Sequence, residues 1–179
     1  MSEPNPALER TRGAAFPLRV AFRRAPLSSN VMPHPERPPY DDAYSTCAET
    51  YATLRVFSDS VRPDTVADAL GTEATSSFQK GDSYGNKHHR KTNGWFYETR
   101  HPNTSRDNGR HVDLLLELLE GKIEVLERLR GQGCEIDIVS YWLSNGQGGP
   151  QLWPEQMLKL GRLGIPIWWD IYFAGNDGA

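Results

Sequence analysis

The chain has 179 residues, enough for one domain and a tail, and a net charge of −3 that is unevenly spread. Residues 1–39 hold six Lys/Arg and three Asp/Glu (+3), and the rest hold 14 and 20 (−6), which sum to −3. A mildly acidic body lacks the many cationic phosphate contacts of general nucleic-acid binding, so nucleic acid is not an expected partner.

Cys47 and Cys134 are too few and too far apart for a disulfide framework or a zinc site. No apolar run approaches the roughly 20 residues of a membrane span. Ala14 to Ala25 is broken by Pro17, Arg19, Arg23 and Arg24, so a secretory signal is not expected and the cytoplasm is the default.

Eight of the 13 prolines fall in residues 1–39. Proline removes backbone donors, so residues 1–47 read as a Pro/Arg-rich, disordered tail. Phe16, Leu18, Val20 and Phe22 alternate there and could form one transient strand. Met32 leaves open an over-long start.

The ordered domain is expected over residues 48–174. Tyr51 to Phe57 alternates Ala52, Leu54 and Val56 with Tyr51, Thr53, Arg55 and Phe57, the pattern of a strand. Pro63 and Asp64 open a short helix with Val66, Ala69 and Leu70 on one face, stopped by Gly71. Ser76–Lys80 reads as a strand, Asp82–Asn93 as a loop, and Gly94–Thr99 as a second strand antiparallel to the first of the pair.

Val112, Leu115, Leu116, Leu119, Ile123 and Leu126 predict one long helix from about His111 to Arg130, with Gly121 inside it held by close packing. Cys134 to Trp142 alternates as a strand. The Asn145–Pro150 stretch is a loop. Pro154 opens a helix carrying Met157, Leu160 and Leu163. The last strand sets Ile165, Ile167, Trp169, Ile171 and Phe173 on one face. Residues 175–179 are expected to fray.

The order βαββαβαβ predicts an α+β fold: an antiparallel sheet with helices mainly on one face. Its first six elements have the ferredoxin-like arrangement, and an extra αβ unit follows.

The first strand ending in Ser58-Asp59, Leu70-Gly71, Lys80-Gly81-Asp82, Asn93-Gly94-Trp95, Tyr141-Trp142, the Gly146–Gly149 loop and Trp169-Asp170-Ile171-Tyr172 follow one another in a characteristic order and spacing. In these features the chain resembles the bacterial domain-of-unknown-function family 4279. The resemblance spans about residues 51–173. It implies a small cytoplasmic bacterial α+β domain with no assigned reaction, and by analogy an immunity-type or other partner-binding role.

The chemistry-bearing residues support two classes of function. Lys80, Lys87, His88, His89, Arg90 and Lys91 form the dense basic cluster of the ordered part. With Asp82, this 82–91 loop could hold phosphate or nucleotide, or serve a metal-dependent enzyme. The plainer reading is a solvated hairpin tip. His88, His89, His101 and His111 with Asp82 and Asp107 carry no metal-ligand spacing, so no metal or other cofactor is expected. There is no Gly-x-Ser-x-Gly elbow and no Lys-Ser/Thr after the Gly-rich loop, so catalytic residues are not assigned.

Trp95, Trp142 and Trp169 read as core. Tyr97, Tyr141, Trp168 and Tyr172 are expected on the opposite sheet face, a candidate binding surface for a protein partner. The tail or a homodimer partner could cover it, and a one-residue slip would invert the faces. The expectation is therefore a protein-binding module more than an enzyme.

Overall fold

Apolar and polar residues alternate from Cys47 to Ser58, and this segment forms the longest strand, β1 (Cys47–Ser58). The structure, a computed structural model, describes residues 36–85 and 88–175. After β1 come α1 (Pro63–Leu70), β2 (Ser76–Phe78), β3 (Ser83–Tyr84), β4 (His88–His89) and β5 (Asn93–Glu98). These are followed by α2 (Asn108–Leu118), α3 (Ile123–Gly131), β6 (Glu135–Ser144), α4 (Pro154–Leu163) and β7 (Ile167–Phe173).

The fold is α+β, with a mixed five-stranded sheet in the order β2-β5-β1-β6-β7 and four helices among the described residues. Central β1 runs antiparallel to both neighbours, with Val56 opposite Trp95 and Leu54 opposite Ile138. The sheet is not wholly antiparallel as expected, because β7 pairs parallel with β6, Ile138 beside Ile167. The crossover through α4 is the kind of connection a parallel pair needs.

The buried face carries Ala52, Leu54, Val56, Trp95, Ile136 and Ile138. Against it pack Val66 and Leu70 of α1, Val112, Leu115 and Leu116 of α2, Leu126 and Leu129 of α3, and Leu160 of α4. All four helices thus contribute to one core.

The element order departs from expectation in two places. Asp82–Asn93 is not a plain loop: β3 and β4 form a two-residue antiparallel ladder of their own. Its base is closed by Gly81 N–H donating to Arg90 O and Arg90 N–H to Asp82 O, both at 2.8 Å. The expected long helix is two helices, α2 and α3, broken at Gly121, whose φ is +70°. That left-handed conformation suits glycine, which has no Cβ to clash. Close packing is not the reason for this glycine, since a Cβ there would meet nothing within 4 Å. The break also positions Lys122, whose Nζ donates to Leu70 O at 2.5 Å and caps the C-terminal end of α1.

Burial corrects three further readings. Trp169 is 39% exposed, because β7 lies at the sheet edge beyond the cover of the helices. Ile123 and Met157, assigned to buried stripes by periodicity, are also exposed. Upstream of Ala48, Arg37 Nη1 and the Tyr40 hydroxyl donate to Asp113 Oδ2 at 2.5 and 2.7 Å, and Arg110 Nε lies 2.9 Å from Asp42 Oδ1. Residues 1–35, with the possible strand at Phe16–Phe22, and residues 176–179 lie outside the described residues.

Gly121→Ala should lower stability by about 1 kcal/mol in urea unfolding, the cost of forcing a side chain into the left-handed region. A gain in stability, as for an interior helical glycine, would mean that the helix runs unbroken.

Candidate functional site

With the helices on one face, the other face of the sheet must be compatible with water. Alternation puts Tyr51, Thr53, Arg55 and Phe57 of β1 there, beside Asp137, Val139 and Tyr141 of β6. Gly94, Phe96 and Glu98 of β5 and Trp168, Asp170 and Tyr172 of β7 share that face through the strand register.

The rings form a band across the strands. Tyr172 lies 5.4 Å from Tyr141, which stacks on Tyr51 at 4.7 Å, and Arg100 sits 4.0 Å over the Tyr51 ring. On the other side of a bidentate Arg55–Asp137 pair, both bonds 2.7 Å, Phe57 meets Phe96 edge-on at 5.2 Å. Phe96 contacts Phe78 in turn. Gly94 makes room for that last ring, since a Cβ there would fall 2.4 Å from Phe78 Cζ. Stacking and cation–π contacts let this face bury apolar area without a second layer of helices.

Strand β7 is the most exposed part of this surface. Ile138 N–H donates to Pro166 O and Ala174 N–H to Ser144 O, so the even-numbered residues of β7 face β6. By period two, the N–H and C=O groups of Ile167, Trp169, Ile171 and Phe173 point to the outer edge. No described strand pairs with that edge. Its side chains are exposed on both faces, Trp168 at 61% and Phe173 at 76%.

Of the expected surface residues, Tyr141, Trp168 and Tyr172 come together on the open face. Tyr97 does not. It pairs with Leu54, lies two residues from buried Trp95, and packs against the helix-covered core. Period two requires Trp95 and Tyr97 to share a face, so the sequence contained this correction. Tyr51 and Phe57 belong to the band instead, and their alternation with Ala52, Leu54 and Val56 was the signal for them.

The basic cluster is less available than its density suggests. Lys80 Nζ pairs with Asp59 Oδ1 at 2.8 Å, and Arg90 is sandwiched 4.1 Å from the Phe78 ring and 4.5 Å from the Tyr84 ring. His88 leans on Tyr84, and His89 Nδ1 lies 3.0 Å from Gly81 O. Asp82 is occupied as an acceptor for Gln79 N–H. Lys91 is exposed, and Lys87 lies outside the described residues. The histidines are not gathered: among the described residues no group of three His, Cys, Asp or Glu could hold a metal ion.

His111 is instead a buried structural group. Its Nε2–H donates to Ser105 O at 2.9 Å, leaving Nδ1 to accept from the Thr99 hydroxyl at 2.7 Å. Burial lowers its pKa. Both cysteines are free and buried, and burial pushes the Cys47 thiol up to about 11, away from nucleophilic use.

Residues 48–174 match the family described as a domain of unknown function, DUF4279. The chain belongs to this family. No curated protein and no solved structure matches it. The DUF4279 match covers the sheet and all four helices, so the aromatic band and the β7 edge both lie within the family domain. Among the described residues no helix of this DUF4279 chain is long and apolar enough to cross a membrane.

The depressed His111 pKa has a defined sign in stability. The unfolded chain takes up the proton first, near pH 6.5, so stability should be full above that pH and fall as pH drops towards the lower folded value. Urea midpoints measured from pH 7.5 to 5 should fall, and His111→Gln should flatten the slope in that window. An unchanged slope would assign it to other groups.

Proposed function

We propose that this chain is a non-catalytic protein-binding module that engages its partner through β7 and the adjoining aromatic band. The observation that carries the reading is β7 itself. A seven-residue strand with apolar side chains exposed on both faces, and an outer edge that no described strand pairs with, is costly to leave in water. Edge backbone groups would supply main-chain hydrogen bonds to an added strand, and alternate side chains would supply its specificity. Trp and Tyr, the residues that dominate interface energetics, are concentrated here.

The setting we infer is the bacterial cytoplasm, and an immunity-type role is an analogy with other small partner-binding domains. The core we infer is ferredoxin-like. What supports this is that β2, β5, β1 and β6 lie in split βαβ order, with β7 added outside β6.

A pull-down with the wild-type chain should retain a stoichiometric partner. The double variant Trp168→Ala, Tyr172→Ala should lose it, with each truncation removing about 2 kcal/mol of binding. A partner retained equally by the double variant would exclude this surface. A shift to dimer for the wild type alone, read by light scattering, would make the partner a second copy.

A further inference from the structure

Among the described residues β7 is bare in two layers at once, which narrows what can cover it. Five of its large apolar residues are exposed, Trp168 and Tyr172 on the open face and Trp169, Ile171 and Phe173 on the helix side. The helix layer above them ends at α4. Lys159 and Arg162 of α4 line one cavity with Leu116 and Leu119, so that flank of the helix faces α2. α2 packs on β1 and β6, and the sheet runs β1-β6-β7, so the opposite flank of α4 looks out over β7. Helical spacing puts Met157 and Gly161 on that outer flank. Met157 is exposed there, and a Cβ on Gly161 would meet nothing within 4 Å.

An added strand alone would cover the outer edge of β7 and leave the Met157 flank open. Covering both takes a strand and a helix at the same offset, and another copy of this chain brings its own β7 and α4. Antiparallel pairing of two β7 edges, about a two-fold axis normal to the sheet, continues the sheet and keeps both helix layers on one side. The charges permit this. Asp170 is the one charged residue of β7, and interface centres are depleted of charge. Like charges directly opposite destabilise a strand pair, so a register setting Asp170 against Asp170 is disfavoured. Because odd-numbered residues make the outward bonds, the nearest registers centre on Trp169 or Ile171. Each sets Asp170 opposite a ring of the other copy, Trp168 or Tyr172. The four rings of β7 expose roughly 450 Å² at about 200 Å² per ring, over half of the ~800 Å² per partner of a stable interface.

We infer that β7 and the outer flank of α4 together form a two-fold dimer interface, whose occupant is a second copy of this chain. The inference rests on the docking surface proposed above and names its partner.

Light scattering on the full chain tests this. The mass should rise from 20.2 kDa towards twice that value between about 1 and 100 µM, within the range of interfaces of this size. Ile171→Pro removes an outward N–H and sets a ring against the incoming strand, while the bonds to β6, made by even-numbered residues, stay in place. It should weaken dimerisation at least tenfold with an unchanged circular dichroism spectrum. Met157→Glu, on the helix, should weaken it about tenfold, which an occupant confined to the strand edge would not show. If Ile171→Pro does not fold, Met157→Glu decides alone. A wild type that stays at 20.2 kDa at about 100 µM, or a dimer left unweakened by either folded variant, would overturn the inference. If that monomeric wild type still retains a different protein in the pull-down, the docking surface stands and only its occupant changes. If it retains none, both readings fall.

Discussion

Coverage on one side only is the constraint on which the rest of this molecule depends. α1, α2, α3 and α4 all contribute side chains to the core on a single face of the sheet. The uncovered face must then satisfy two demands together: it has to hold five strands in register and remain compatible with water. Rings that stack across strands, with arginines placed over them or paired to carboxylates, meet both demands. The open face is therefore structural before it is functional, and its central members Tyr51, Phe57, Phe96 and Tyr141 are half-buried by their neighbours.

The same constraint explains why exposure concentrates at β7. Each inner strand has a neighbour on both sides and helices above it. Among the described residues β7 has one neighbour, and the helical layer reaches Ile167 but leaves Trp169, Ile171 and Phe173 exposed. At the opposite edge, β2 has only three residues and carries two serines, a short polar edge that offers little to a passing strand. The two edges thus differ in kind, and only one invites an added strand.

Much of the fold was legible because the relevant signals are local. Proline at a first helical turn and glycine at a left-handed stop mark α1 and α4 at both ends, Gly71 and Gly164 each with φ of +62°. Alternation located β1, β5, β6 and β7. What was lost lay where two readings share one local pattern. A stripe from Val112 to Leu126 keeps its phase across a break of a few residues, so one helix and two helices look alike until the backbone at Gly121 is seen. Alternation also shows which residues of a strand share a face, but not whether that face is covered. Hence Trp169 shares a face with core residues and is nevertheless exposed. In the basic loop the charges are visible in sequence, whereas the rings of Phe78 and Tyr84 that sandwich Arg90 are brought there by pairing across the turn.

By itself, the sequence determined the family, the α+β class, most element boundaries and the two faces of each strand, because periodicity, proline and glycine act within a few residues of themselves. The tertiary structure alone decided which strand became an unpaired edge and which cations were already engaged. It also decided that Met157 would stand exposed on the flank of α4 that looks out over that edge. Those outcomes depend on strand order and on contacts between residues tens of positions apart, for which no local pattern carries a signal.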